Sequence, residues 1–137
     1  MNRSDLQKLA QLRVEDATVL LRARRWAGAY YLAGYAVECA LKACIAKQVK
    51  EFDFPDKEIV KNSYVHDLTK LLNLSGVGHL HEQELKKNDA FNDFWAVIKD
   101  WNETSRYADT QEKIAQDMVK AVTDAKDGVL KWLMNHW

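Results

Sequence analysis

The chain has 137 residues, with 20 basic and 20 acidic side chains and a formal net charge of zero. At 47% hydrophobic and 29% charged residues it falls with globular proteins rather than disordered ones. The balanced charge excludes a global basic field that would draw in nucleic acid, so any such contact must be a local patch. Five Gly and one Pro are too few for the frequent turns of a β-fold, which leaves long helices and an all-α class.

The first helix is predicted from Asp5 to Arg25, with Ser4 and Gln7 in a capping-box pattern and apolar residues from Leu6 to Leu21, Leu12 among them, at helical spacing. It closes on the basic cluster Arg22, Arg24 and Arg25, which reads as a solvated helix end and secondarily as an RNA or partner contact. The second helix is predicted from Ala27 to Val49. A connection, EFDFPDKEIVKNSYV, then holds the sole proline, Pro55. A short third helix fits Asp67 to Leu74, and SGVGH ends it. A fourth helix is expected from Leu80 to Trp101, with Leu85, Phe91, Phe94, Trp95 and Ile98 as its apolar set. After the linker NETSRYADT, Asp109 and Glu112 form a second capping box. The last helix then carries Ile114, Met118, Ala121, Val122, Ala125, Val129, Trp132 and Leu133 on one stripe.

No repeat, low-complexity tract or second domain is evident. Residues 1–137 therefore read as a single domain, an antiparallel up-and-down bundle of about five helices, four long and one short. The opening MNRSDLQKLAQ lacks the apolar core of a secretory leader, and the longest apolar run is interrupted by Glu38 and Lys42. A membrane span is not expected, and a cytoplasmic setting is. Cys39 and Cys44, five apart on one helix, point about 140° apart and cannot pair with each other. They read as two buried, reduced thiols.

The second helix holds the feature that asks for an explanation. In AYYLAGYAVECALKACIAK, Ala29 to Lys47, a carboxylate and an ammonium sit inside the greasiest segment of the chain. At 3.6 residues per turn, Gly28, Tyr31, Tyr35, Glu38, Lys42 and Ile45 share one narrow stripe of an otherwise apolar wheel. A helix apolar all round is buried all round, so this one is expected at the centre of the bundle. Two readings stand for Glu38 and Lys42. One is a plain i, i+4 ion pair. The other is a polar cleft between helices, where a buried charge needs partners from elsewhere.

Three segments together, RRWAGAYYLAGYAVECALKACIA, YVHDLTKLL and SRYADTQEKIAQDMVKAV, resemble the HEPN family of small all-helical domains. The resemblance runs from about Leu6 to Leu133. Its most specific part is the second-helix pattern Tyr35, Ala36, Val37, Glu38, Leu41, Lys42 and Ala43. His66-Asp67-Leu68 and Arg106-Tyr107 add to it. It implies a helical bundle that often dimerises. It also implies links to nucleotides, RNA, or a minimal nucleotidyltransferase partner in toxin–antitoxin and defence modules. Ribonuclease members carry an Arg followed four to six residues later by a His. Here Arg106 is followed by Tyr107, Ala108, Asp109, Thr110, Gln111 and Glu112. Such cleavage needs a proton acceptor as well as a cation for the phosphate. Half of that pair is missing, so the nuclease activity is not carried over and a binding role is.

The candidate ligand site, for a nucleotide or phosphate, comprises Tyr31, Tyr35, Glu38, Lys42, His66, Arg106 and Tyr107. Arg106-Tyr107 ahead of a helix N-terminus suits an anion, with Tyr107 able to stack on a base. Alternatively Arg106 pairs with Glu38 and ties the last helix to the central one. His66 in place of the missing His would make a ribonuclease toxin with a displaced active site, and a purely structural adaptor is the third alternative. His79-Leu80-His81 beside Glu82 and Glu84 lacks a complete ligand spacing and reads as two solvated histidines, so neither a metal nor a cofactor is expected. Trp95 and Trp101 are expected on one helix near the core. Trp132 and Trp137 read as an interface anchor or as partly buried against the first helix.

Overall fold

The computed structural model describes residues 1–51 and 61–137. Most of the connection around Pro55 lies outside the described residues. Among the described residues there is no strand. The elements are α1 (Arg3–Arg22), α2 (Trp26–Glu51), α3 (Leu68–Leu74), α4 (Gly78–Lys87), α5 (Asp89–Ile98), a 3-10 turn (Glu103–Tyr107), α6 (Glu112–Thr123) and α7 (Val129–Met134).

The start of α1 lies two residues ahead of the predicted one because a different box caps it. The Asn2 side chain accepts from the Asp5 N–H at 2.8 Å, and the Asp5 carboxylate accepts from the Asn2 N–H at 3.1 Å. An acidic partner in the first turn also favours the helix dipole, which a Ser4–Gln7 box could not do. At the other end, Arg25 N–H donates to the Leu20 carbonyl (2.8 Å) and Arg24 N–H to that of Leu21 (3.1 Å). This is a Schellman closure with Arg24 in the left-handed position, φ 62°. It stops α1 three residues short of the expected end and turns the chain into α2.

The position of α2 follows from its composition. Ala29, Ala33, Ala36, Val37, Ala40, Leu41 and Ala43 are all fully buried. The helix packs against α1, α3, α6, α7 and the 3-10 turn. Within it, Gly34 costs about 1 kcal/mol of helix propensity relative to Ala. It is present because the indole of Trp101 lies directly on the helix backbone, and a Cβ at position 34 would overlap that ring. Trp101 is buried, but it follows the end of α5 rather than sharing a helix with Trp95.

Two predicted helices are each broken in the middle. Asn88 ends α4 and starts α5: its side-chain oxygen accepts from the Phe91 N–H at 3.1 Å. Its amide donates to Glu84 (3.1 Å) and to Asp127 (2.9 Å). Asp124 breaks the last helix by accepting from the N–H groups of Asp127 (2.8 Å) and Lys126 (3.2 Å). At Gly128 a Cβ would meet the Asp124 backbone. In both places a short polar side chain offers the backbone a better local partner than the next helical turn. The Asn88–Asp127 bond joins one break to the other. The second break leaves Ala125 exposed while Val129 and Leu133 stay buried, and Ile114, in the first turn of α6, is exposed as well. Leu12 of α1, likewise placed on an apolar stripe by the sequence, is exposed.

His81 is not solvated. It is buried among Trp95 (ring centroids 4.5 Å apart), Phe91 (5.4 Å) and Trp132 (5.5 Å). Burial pushes its pKa down to about 4. Trp132 also contacts His136, and the Trp137 carbonyl accepts from Arg3 of α1 at 2.6 Å.

Two predictions follow from this packing. Helix propensity alone would make Gly34→Ala stabilising by about 1 kcal/mol. The overlap with Trp101 instead makes it destabilising by about 1–3 kcal/mol in urea unfolding, with most of the loss absent in a Trp101→Leu background. For His81, the folded state has the lower pKa, so the unfolded chain binds more protons between pH of about 6.5 and about 4. Its contribution is complete above that window and is lost as pH falls through it. Replacing His81 by Leu should therefore shrink the stability difference between pH 7.5 and pH 4.5 by about 2 kcal/mol. An unchanged difference would rule out the histidine as its source.

Candidate functional site

Successive steps of four, three and four residues put Tyr31, Tyr35, Glu38 and Lys42 on one face of α2. The rings of Tyr31 and Tyr35 are nearly parallel, 6.1 Å apart, and Tyr31 also stacks on Trp101 at 5.8 Å. The Tyr35 hydroxyl bonds to the Cys39 sulfur one turn on. Burial first, then Cys39 and Glu38, push Tyr35 up to about 12, so it stays a neutral donor. Cys39 is raised to about 11, by burial first and then by Glu38, so this buried sulfur remains a thiol.

Glu38 is 2% exposed. A carboxylate there is tolerable only with its charge matched. Oε2 accepts from Lys42 Nζ at 3.3 Å, and Oε1 faces His66 Nδ1 at 2.9 Å. His66 is placed by the start of α3, where Asp67 caps the helix by accepting from the Lys70 N–H at 3.0 Å. The other ring nitrogen of His66, Nε2, lies 3.1 Å from Glu103 Oε2. Glu38, His66 and Glu103 thus form a chain from α2, through the residue ahead of α3, to the 3-10 turn.

That turn carries Arg106. Its N-cap is Asn102, which accepts from the Thr104 N–H at 2.9 Å and from the Thr104 hydroxyl. Side chains three apart eclipse in a 3-10 turn, which sets Glu103 and Arg106 on one side of it. Arg106 is exposed and lies over the Tyr107 ring at 4.7 Å. Its pKa is raised, first by Tyr107 and then through a hydrogen bond to the Tyr31 hydroxyl. Tyr107 is 76% exposed.

The pairing of Arg106 with Glu38 is not formed: among the described residues Glu38 is matched by Lys42 and His66, and Arg106 has no carboxylate partner. Nor does Arg106-Tyr107 sit at the N-terminus of α6. That helix starts at Glu112 after Gln111, and Asp109 does not cap it. The structure therefore brings Tyr31, Tyr35, Glu38, Lys42 and His66 into direct contact, joins Arg106 through Tyr31, and leaves Tyr107 attached only through Arg106. Glu103 and Trp101 belong to the same cluster and were missed. Glu103 sits one 3-10 turn before Arg106, and a glycine inside an alanine-rich helix was the available sign of a bulky neighbour. Among the described residues no group of three His, Cys, Asp or Glu is arranged to hold a metal ion. His79 lies against Gln83 at 3.0 Å, away from His81. No helix among them is long and apolar enough to cross a membrane.

A family model described as the HEPN domain matches residues 4–137. The chain belongs to the HEPN family. No match was found among curated proteins or among solved structures. In this HEPN domain no histidine follows Arg106 within six residues. The one histidine in contact with the turn is His66, and both of its ring nitrogens face carboxylates.

Removing Lys42 leaves a buried carboxylate with half its compensation. Lys42→Met should cost about 2 kcal/mol or more in chemical unfolding. The double variant Glu38→Gln/Lys42→Met should recover most of that loss. Additive losses would instead mark the pair as weakly coupled.

Proposed function

We propose that this HEPN domain is a binding module that takes a phosphate-bearing ligand, a nucleotide or RNA, at Arg106, and that it does not cleave RNA. The observation that carries the reading is the unequal state of the two groups a nuclease would need. Arg106 is an exposed guanidinium with no carboxylate partner among the described residues, flanked by the hydroxyl of Tyr31 and the ring of Tyr107. His66 has a carboxylate against each ring nitrogen, Glu38 on one side and Glu103 on the other, rather than an open side facing Arg106. A phosphate would sit on Arg106, and Tyr107 would stack on a base. Lys42, 22% exposed, adds positive charge along the same face. Tyr35, Glu38 and His66 hold the face in shape.

Family membership supports the wider parts of the reading. These are an up-and-down helical bundle acting in the cytoplasm as a homodimer, or beside a minimal nucleotidyltransferase partner in a toxin–antitoxin or defence setting.

Titration calorimetry with AMP and with a short single-stranded RNA tests the reading. Wild-type protein should bind saturably, with affinity falling as salt rises. Arg106→Ala should weaken binding by about tenfold, as expected for loss of one charge-assisted contact of about 1.5 kcal/mol, and the RNA should stay intact on a gel. Cleavage abolished in both Arg106→Ala and His66→Ala would establish the displaced ribonuclease instead. Absence of saturable binding to either probe would leave a structural adaptor.

A further inference from the structure

A well-formed concavity lies apart from the tyrosine-lined face. It is a groove of about 950 Å³ between the first turns of α1 and the C-terminal half of α2, and Lys42 is the one residue it shares with the candidate site. Its floor is aliphatic, from Leu6 of α1 and Ile45, Ala46 and Val49 of α2. Among the described residues, two cationic side chains line it, Arg3 and Lys42, and no acidic one does. Arg3 is held in place by donating from Nη2 to the Trp137 carbonyl at 2.6 Å, which leaves its Nε–H buried without a partner. The Lys42 ammonium has three donors, and Glu38 is its acceptor among the described residues.

We propose that this groove is a second ligand site, which takes a carboxylate carried on an aliphatic chain. The volume is that of small-molecule sites, which are mostly apolar with a few polar groups that fix orientation. The charged side chains that line it among the described residues are both cationic, which suits an anion. One carboxylate can meet the free donors of Arg3 or Lys42 while its chain covers the Leu6, Ile45 and Val49 side chains. A nucleotide suits the groove poorly, because among the described residues the one aromatic in its lining is the exposed Tyr64. The proposal does not rest on the phosphate reading of Arg106. Because Lys42 belongs to both places, an occupied groove also reaches the chain of contacts from Glu38 to His66.

Titration of the whole protein with decanoate below its micelle concentration, followed by amide and His66 ring shifts, tests it. Decanoate should bind saturably, with shifts confined to the start of α1, residues 42–49 and the His66 ring. Decylammonium, with the same chain and the opposite charge, should bind at least about tenfold more weakly. Arg3→Met should lower decanoate affinity by about tenfold. Ala46→Trp, which fills the floor, should abolish binding in protein whose unfolding midpoint is retained. Equal binding of decanoate and decylammonium would overturn the proposal. So would shifts mapping elsewhere, or full binding by Arg3→Met or folded Ala46→Trp protein. AMP affinity is read separately at Arg106, so failure of one site leaves the other standing.

Discussion

Glu38 is a carboxylate placed in the most apolar helix of the chain and cut off from water. An unmatched charge at that depth would cost several kcal/mol, more than a large share of a small domain's total stability. Much of the surrounding architecture meets that one requirement. Lys42 comes from the next turn of the same helix. His66 comes from the residue ahead of α3, where the Asp67 cap fixes the direction of the chain. The histidine then has a second nitrogen to satisfy, and Glu103 supplies the acceptor. A local problem of burial inside α2 is thereby turned into a link between three parts of the fold.

The link has a functional consequence through the 3-10 turn. Glu103 and the Gly34–Trp101 contact hold that turn against α2 from two sides. Arg106 and Tyr107 project from it, with Arg106 reaching back to the Tyr31 hydroxyl. The exposed cation and aromatic are thus carried on a short turn but oriented by buried groups. That is the arrangement a binding face needs if its geometry is to be set before the ligand arrives. The same arrangement places a carboxylate against each ring nitrogen of His66.

The sequence revealed some of this and hid the rest for identifiable reasons. Apolar residues all round α2 announce its central place, and the 3.6-residue period alone aligns Tyr31, Tyr35, Glu38 and Lys42. The short helix expected over Asp67 to Leu74 is present as Leu68–Leu74, with Asp67 as its N-cap. Asn88 and Asp124 were missed as helix breaks because the apolar rhythm continues across both, while the bonds that stop the helices are made by side chains to nearby backbone. His81 was misread because HLHEQE looks solvated locally. Its burial comes from Trp95 and Trp132, residues far along the chain. Glu103 has no local mark at all. Its role exists only once the 3-10 turn is folded against His66, a pairing that no periodicity encodes.

The central claim is that His66 fastens the Arg106-bearing turn to α2. Amide hydrogen exchange of His66→Ala against wild type tests it most directly. The account predicts that exchange at residues 103–107 rises by about tenfold or more, as expected when a charge-assisted contact of about 1.5 kcal/mol is lost, with the central turns of α2 left protected. Unchanged exchange across 103–107 in folded His66→Ala protein would contradict it.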